Sequence, residues 1–233
     1  MWNIATYEAV SMISLKVASA TSTGGKSMLL PTPYAYKMAL LNVIIHDLGL
    51  DAAKNLWPTL RDAQLAIYGP ERIVTNNTFT KILKPNRNMA TSPDTGLVSV
   101  MINSIGFREY VYWQGQMVMA LQVDSAMDRP WSTWMTMVHY IGKRGGFIQA
   151  TGAIEQVDAL DKRFTPLTQV NDNFALNGTL QLMDDCGAKL TFDQIDVYSN
   201  KSMKVGADRL LRPVVLPYRV ERSSRGYTLY QRI

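Results

Sequence analysis

The chain has 233 residues, of which 47% are hydrophobic, 18% charged and 9% aromatic. This composition is typical of a globular protein with a buried core, and the length suits one elaborated domain. No apolar run approaches the roughly 20 residues that span a bilayer, and no signal peptide is visible. The single cysteine, Cys186, excludes an internal disulfide and a multi-cysteine zinc site. We therefore expect a soluble protein of a reducing cytoplasm.

Positive charge is concentrated in the C-terminal segment. Residues 201–233 carry eight Lys or Arg against two Asp or Glu, a net charge of +6, whereas residues 1–200 carry 16 against 17. Such asymmetry favours a polyanionic partner, usually a nucleic acid. A solvated basic tail that keeps the protein soluble is the alternative interpretation.

The first predicted element is a long strand over residues 4–18, where apolar residues alternate with polar ones. A loop rich in Ser, Thr and Gly follows at residues 19–27. Helical spacing of apolar residues then predicts a helix from about Ala35 to Leu48, ended by Gly49. A second helix is predicted from Pro58 to Gly69, because proline is tolerated in a first turn.

From Glu71 onward, β-branched and polar residues predict an exposed β-ribbon. Residues 72–88 contain four basic side chains and no acidic one. The stretch up to Gly96 is rich in turn-forming residues. We therefore predict an inserted, thumb-like hairpin over residues 71–97 that projects from the body as a cationic finger.

The remaining elements are mostly strands. Residues 107–113 and 116–123 are predicted to pair around the turn at Gln114 and Gly115, and a helix with two core tryptophans follows at about 131–140. Further strands are predicted at residues 147–155, 179–183, 190–197, 212–220 and 227–231. This order predicts a single α+β domain over residues 1–233, an elaborated ferredoxin-like (RRM-like) fold with an antiparallel sheet, the inserted hairpin and basic C-terminal strands over residues 201–233.

The segment from Ala20 to Ser27 resembles a relaxed phosphate-binding loop. Such a loop must run directly into a helix whose N–H groups hold the phosphates. Pro31 and Pro33 interrupt that helix, since proline removes an N–H and disfavours a helical residue before it. Nucleotide hydrolysis is therefore the less favoured interpretation. Lys26 is better explained as a lysine that binds a phosphate from a flexible loop.

Catalytic groups are sparse. His46 and His139 are the only histidines, and neither has a second histidine or a cysteine at ligand spacing for a metal. A metal-independent ribonuclease that uses one of them with a tyrosine and a lysine stays open, because general acid–base catalysis needs only well-placed groups.

Two further segments combine cations with aromatic residues. Lys143 and Arg144 lie in a glycine-rich turn, where the backbone can approach a phosphate closely, and the flanking aromatic residues can stack on bases. In the strand at 107–113, Arg108 and Tyr110 share a face with Tyr112. An ordinary basic turn and an edge strand with a core-facing aromatic side are the alternatives.

These segments together resemble the RAMP-superfamily subunit that caps the crRNA 5′ handle in Cascade-type (type I) CRISPR effector complexes. The resemblance rests on the first strand and its Ser/Thr/Gly loop, the segment at 29–40 with Pro31 and Pro33, the strand at 107–113, the turn at 142–147 and the hairpin insertion. It covers most of residues 4–155.

The resemblance implies a non-catalytic RNA-binding subunit of a ribonucleoprotein complex for antiviral defence, without cofactor or metal. Its partners would be the crRNA 5′ handle and the backbone and large subunits, with target DNA as a further candidate. One branch of the family also cleaves precursor crRNA, and that endoribonuclease activity is the alternative function. The implied RNA contacts are Lys26, Lys37, Lys81, Lys84, Arg87, Arg108, Tyr110, Lys143 and Arg144.

Overall fold

A computed structural model describes residues 1–17, 25–87, 91–98, 100–124, 130–143, 145–169 and 177–233. Within these ranges the fold is α+β with antiparallel pairing between the named strands, which confirms the predicted fold class. None of the described helices is long and apolar enough to cross a membrane.

The first sheet forms the centre of the core. Its five strands, in spatial order, are β6 (Ile148–Val157), β1 (Trp2–Ala9), β5 (Met117–Gln122), β2 (Gln64–Tyr68) and β7 (Thr165–Pro166). One face packs on the helices through residues such as Tyr7, Leu65 and Met119, and the other buries a smaller cluster that includes Ile4 and Ala120. The sequences of strands that are buried on both faces are continuous apolar runs, and such runs are hard to distinguish from the sequences of buried helices.

Two consecutive helices cover this sheet. Helix α1 (Pro33–Leu48) begins where Thr32 Oγ1 accepts a hydrogen bond from the Ala35 N–H at 3.2 Å, and it ends at Gly49. Helix α2 (Leu50–Asp62) follows directly, with Pro58 inside it. The predicted helix from Pro58 to Gly69 is therefore wrong, because residues 64–68 form the buried strand β2 between two neighbours.

The second sheet brings the hairpin and the C-terminus together. Its four strands, in spatial order, are β10 (Tyr218–Ser223), β11 (Tyr227–Arg232), β3 (Arg72–Pro85) and β4 (Met101–Gln114). β3 and β4 stay in register from Arg72 opposite Gln114 to Pro85 opposite Met101. β11 pairs with β3 only as far as Asn76, so the outer part of the hairpin is a two-stranded ribbon. Strand β4 extends beyond the segment 71–97 that was predicted as the insertion.

Three local predictions are wrong. The strands at 107–113 and 116–123 do not pair, because the chain passes from the second sheet to the first at Gly115, where φ is +99°. The first strand ends at Ala9 rather than near residue 18, and Ile13 pairs instead with Val111 of β4. Residues 190–197 contain the short helix α4 (Phe192–Ile195), which starts in a capping box between Thr191 and Gln194, rather than a strand.

The remaining elements close the core. Helix α3 (Trp131–Thr136) buries Trp131 and Trp134, as predicted for its tryptophans. Strands β8 (Thr179–Cys186) and β9 (Arg209–Leu216) form a separate two-stranded ribbon. The buried ion pair of Lys37 with Asp185 attaches this ribbon to α1. Within the ribbon, the half-buried Arg212 and Arg209 pair with the buried carboxylates of Asp185 and Asp184.

Candidate nucleic-acid interface

The glycine-rich turn after α3 packs directly against the chain that follows β1. Tyr140 and Phe147 pair at its base, and the Ile141 N–H donates to the Gly146 carbonyl at 3.0 Å. Gly142 has φ +75°, and a Cβ on it would lie only 2.6 Å from Leu15 Cδ2. Glycine is therefore required both by the backbone conformation and by the close approach, which places Lys143 next to Lys16.

Lys16, Arg108 and Lys143 form a group that we call the cationic cluster. The pKa of Lys143 is lowered from its ordinary value, first by partial burial and then by the positive charges of Arg108 and Lys16. Among the described residues, none of the three forms an ion pair. Three uncompensated cations on neighbouring segments favour binding of an anion, and a phosphate bound among them would relieve their mutual repulsion.

Lys26 emerges beside this cluster. The next residue, Ser27, pairs with Lys16, and its N–H donates to Glu109 Oε2 at 2.8 Å. Glu109 follows Arg108 in β4 and is buried, so this bond fixes the position where the chain leaves the loop. The structure thus brings together two of the predicted contacts, Arg108 and Lys143, and adds Lys16, while Lys26 is exposed on the residue before the Ser27–Lys16 bridge.

The loop that contains Lys26 does not lead into a helix. Residues 18–24 lie outside the part of the chain that the structure describes, but Ser27 is buried, with its Oγ accepting from the Leu15 N–H at 2.9 Å. The next helix, α1, begins at Pro33 and is capped by Thr32. Its N-terminal N–H groups are therefore not offered to the loop, as a nucleotide-binding loop requires.

A cleft opens between the turn and the start of α1. It has a volume of about 320 Å³, and its lining includes Lys16, Lys143, Tyr140, Tyr34 and Arg209. The Arg209 guanidinium lies over the Tyr34 ring, 4.2 Å from its centroid. Burial raises the pKa of Tyr34 to about 12, although the charge of Arg209 opposes that rise. Tyr34 is thus neutral at physiological pH. The cleft combines two tyrosines with Lys16 and Lys143, while Arg209 is paired with Asp184, which also lines the cleft.

Lys37 is not available to RNA, which corrects its prediction as a contact. Its side chain is 1% exposed, and Nζ lies 2.7 Å from Asp185 Oδ1 and donates to the Arg61 carbonyl at 2.7 Å. The position faces the β8–β9 ribbon, which is far away in sequence. A lysine in the middle of a helix gives no local signal for such a partner.

The hairpin cations lie away from the cationic cluster. Lys84 is six residues along β3 from Thr78, the partner of Arg108, which corresponds to about 20 Å. Lys81 and Lys84 lie on opposite faces of the ribbon, because side chains alternate along a strand. Lys81 and Arg87 are exposed, and Lys84 is half-buried. Arg144, also predicted as a contact, lies outside the described residues.

Both histidines line a second cleft, of about 390 Å³, together with Tyr140. Nδ1 of His46 is 2.7 Å from the Asn42 carbonyl oxygen, and Nδ1 of His139 is 3.3 Å from that of Met137. A carbonyl only accepts, so each Nδ1 donates and each Nε2 is left as the basic nitrogen. These histidines lie 93 residues apart in the sequence, and only the fold brings them to one cleft.

Sequence reasoning missed Lys16 and Arg209. Lys16 was assigned to a continuous first strand. The end of β1 at Ala9, after which the chain brings Lys16 close to Lys143, has no clear sequence signal. Arg209 was noted only as part of the basic C-terminal segment. Its position over Tyr34 depends on the pairing of β8 with β9, which is a long-range contact.

The chain is similar to CRISPR-associated proteins, although no family model matches it. It is 24% identical over 214 residues to a CRISPR-associated protein Cas5 from Archaeoglobus fulgidus, with 86% of each chain covered. A crystal structure of a CRISPR protein from Archaeoglobus fulgidus has the same fold, with a TM-score of 0.50 and 14% identity, over 100% of this chain and 92% of the other. A chain of a CRISPR RNA-guided surveillance complex matches with a TM-score of 0.43 and 11% identity, over 99% and 90%.

Proposed function

We propose that this chain, which is 24% identical to a CRISPR-associated protein Cas5, is a RAMP-type subunit of a CRISPR ribonucleoprotein complex that binds the crRNA 5′ handle without cleaving it. The observation that carries this proposal is the cationic cluster of Lys16, Arg108 and Lys143, of which Lys16 and Lys143 line a cleft that also contains Tyr34 and Tyr140. Phosphates of a single strand would bind the cations, and a splayed base would enter the cleft beside Tyr34.

The shape of the cleft supports recognition of a single-stranded RNA end. Bases of a duplex are stacked and paired, so they cannot enter a cleft of about 320 Å³, whereas an unpaired base can. Gly145 has positive φ and nothing within 4 Å of where a Cβ would lie, so it leaves the backbone of the turn open to close approach by a phosphate. The handle therefore supplies the unpaired, flexible ligand that this arrangement requires.

The projecting hairpin supports a role beside the guide and the neighbouring subunits. Its outer ribbon carries Lys81, Lys84 and Arg87 and is paired only to itself within the described residues. A two-stranded ribbon is marginally stable alone in water, so contact with RNA and with the backbone or large subunit would stabilise it. In this proposal the hairpin separates or kinks the guide at its first segment.

The test is binding of a 5′-labelled handle RNA, alone and in the assembled complex. The Arg108→Ala/Lys143→Ala variant is compared with Lys162→Ala/Lys189→Ala, which removes two exposed cations elsewhere. We expect the first variant to lose affinity and to reduce the salt dependence by about 0.7 log units per lost phosphate contact. Equal affinity and an equal salt slope in both variants would contradict the proposal.

One observation favours a second candidate, a metal-independent endoribonuclease that processes precursor crRNA. His46 and His139 share a cleft, and neither Nε2 has a hydrogen-bond partner among the residues that the structure describes. One imidazole would take the proton from a 2′-hydroxyl as it attacks the adjacent phosphate, and the other, protonated, would give a proton to the leaving 5′ oxygen.

Incubation of the pure protein with precursor RNA in EDTA separates the two candidates. Specific cleavage that is lost in both His46→Ala and His139→Ala would establish the ribonuclease. Intact RNA at enzyme excess, with handle binding retained, is the result that the non-catalytic proposal predicts.

A further inference from the structure

The outward face of the second sheet carries three tyrosines that the cationic cluster does not use. Tyr110, Tyr112 and Tyr227 line a groove of about 380 Å³ together with Asn76 and Met12. We call this feature the tyrosine groove. The opposite face of the same strands belongs to the core, where Val111 and Trp113 are buried. The tyrosines therefore do not serve the core, which was one of the alternatives for this strand.

The strand register places the aromatic residues in two adjacent rows. Tyr227, Asn76 and Tyr110 lie side by side across β11, β3 and β4. The next row is formed by Leu229, Val74 and Tyr112, of which Tyr112 is 49% exposed. Neighbouring strands are about 4.8 Å apart and alternate residues along a strand about 7 Å apart. The tyrosine rings thus have the spacing of a platform for two or three stacked bases.

Arginines surround the groove on the same sheet. Arg222 pairs with Leu229 in the row of Tyr112, and Arg219 pairs with Gln231 in the next row. Arg108 lies opposite Thr78, beyond Tyr110. Among the described residues, these three arginines form no ion pair, whereas Arg72 lies 4.0 Å from the Glu221 carboxylate. The face thus combines an aromatic centre with an uncompensated positive rim.

We propose that the tyrosine groove is a second binding site for single-stranded nucleic acid, next to the handle site and sharing Arg108 with it. Bases would stack on the tyrosines, the Asn76 amide would offer a donor and an acceptor to a base edge, and Arg219 and Arg222 would bind phosphates. The charge argues for nucleic acid over a protein partner, because Arg219 and Arg222 have no carboxylate partner among the described residues and the phosphates of a nucleic acid supply one negative charge per nucleotide.

The groove is continuous with the cationic cluster. Arg108 belongs to the cluster and lies two residues from Tyr110 on the same face of β4, about 7 Å along the strand. A strand that leaves the cluster can therefore pass onto the tyrosine groove without crossing an acidic surface. This inference does not require the handle to be the ligand at the cluster, since any single strand meets the same residues.

Photocrosslinking with the full chain tests this site. Oligouridine containing 4-thiouridine and oligodeoxythymidine containing 4-thiothymidine, each of about 12 nucleotides, are crosslinked and mapped by peptide mass spectrometry. We expect crosslinks within residues 108–112 and 225–231. Crosslinks with the RNA probe alone would identify the groove as an RNA site, and crosslinks with both probes would identify a site for either nucleic acid. Crosslinks confined to other segments would overturn the proposal.

A pair of variants measures the contribution of stacking. Tyr112→Leu/Tyr227→Leu is expected to weaken oligonucleotide binding about 10-fold, and Tyr112→Phe/Tyr227→Phe to retain it, since phenylalanine keeps the stacking face. Tyr198→Leu is the control, because Tyr198 is 94% exposed and does not line the groove. Affinity of the leucine variant within about twofold of this control would overturn the proposal and leave the groove to a protein partner.

Two further variants keep the result interpretable. If the leucine variant does not fold, Arg219→Gln/Arg222→Gln replaces exposed side chains and should reduce the salt slope by about 1.4 log units for two phosphates. An unchanged slope would contradict the proposal. Lys143→Ala should lower total affinity and leave the crosslinks in the groove, so failure of the handle site and failure of this site give different results.

Discussion

At the scale of single residues, two lysines show how differently the fold uses the same side chain. Lys37 is buried with its ammonium held between Asp185 and the Arg61 carbonyl, whereas Lys143 is exposed beside two other cations. The first stabilises the attachment of the β8–β9 ribbon to α1. The second is held in a position where only an anion would relieve the local repulsion.

Replacing Lys37 with methionine is expected to destabilise the protein without a direct effect on RNA contacts. The change leaves the buried Asp185 carboxylate with only Arg212 as an ion-pair partner, at 3.2 Å, and removal of one member of a buried pair costs about 3 kcal/mol. Urea denaturation measures the free energy of unfolding. Lys189→Met, at an exposed position, is the control, and an equal stability of the two variants would show that the buried pair contributes nothing.

The lowered pKa of Lys143 predicts an unusual pH dependence of RNA binding. The side chain loses its proton at a lower pH than the ordinary 10.5, so affinity should begin to fall earlier in the alkaline range than for an unperturbed lysine. A phosphate bound to the ammonium raises that pKa again, so binding at alkaline pH should be accompanied by proton uptake. Titrations of a labelled RNA from about pH 7.5 to about pH 10 measure the effect.

Lys143→Arg is the control for this pH dependence. Arginine stays protonated over the whole range, so the variant should keep its affinity to higher pH than the parent chain. Superimposable pH profiles for the parent and the variant would mean that Lys143 does not contact the phosphate.

At the scale of elements, the glycine-rich turn is the part on which the candidate site most depends. Gly142 and Gly145 both have positive φ, but only at Gly142 would a Cβ collide with a neighbour, Leu15 Cδ2 at 2.6 Å. Leu15 is 5% exposed and belongs to the core, so it has little room to move. The contact therefore links the core to the position of Lys143.

Gly142→Ala and Gly145→Ala separate the backbone strain from this contact. Both variants carry the strain of an alanine at positive φ, and Gly142→Ala adds a collision that costs about 1 kcal/mol more. For a chain of this size, that difference corresponds to a melting temperature lower by about 3 °C in Gly142→Ala. Equal melting temperatures would show that the turn does not depend on its packing against Leu15.

The elements that sequence reasoning identified are those with a local signal. Thr32 and Gly49 bound helix α1, and the acid-free hairpin strand β3 has a clear β-branched pattern. The errors occurred where a long-range contact decides. Residues 64–68 are a strand because β5 and β7 flank them. Gly115 joins two sheets because Trp113 is buried in β4 of the second sheet and Met117 in β5 of the first. Turn residues indicate where the chain reverses, but not which strands pair.

The candidate site was predictable to a similar extent. Lys143 and Arg108 could be identified because glycines and aromatic residues flank them in sequence. Their proximity to Lys16 could not, because it depends on how the chain after β1 packs between the turn and β4. Likewise, a lysine in an amphipathic helix is normally exposed, and the burial of Lys37 follows only from the distant Asp185.

At the scale of the whole molecule, the structure shows where the positive charge of the C-terminal segment lies. The basic C-terminal segment is distributed between β9, whose Arg209 enters the cleft, and β10, whose Arg219 and Arg222 border the tyrosine groove. The C-terminal strands pair with the root of the hairpin through β11. Positive charges of the C-terminal segment therefore border both candidate sites, as a protein that follows a single strand requires.

The most direct test of the central claim, that this chain binds a guide RNA end, is the RNA that the protein carries from its own cells. The chain is purified with its associated subunits under native conditions, and the bound RNA is sequenced. The account predicts RNAs of uniform length that share one 5′ sequence, and their loss from the Arg108→Ala/Lys143→Ala variant. Absence of RNA, or a mixture of lengths without a common 5′ end, would contradict it.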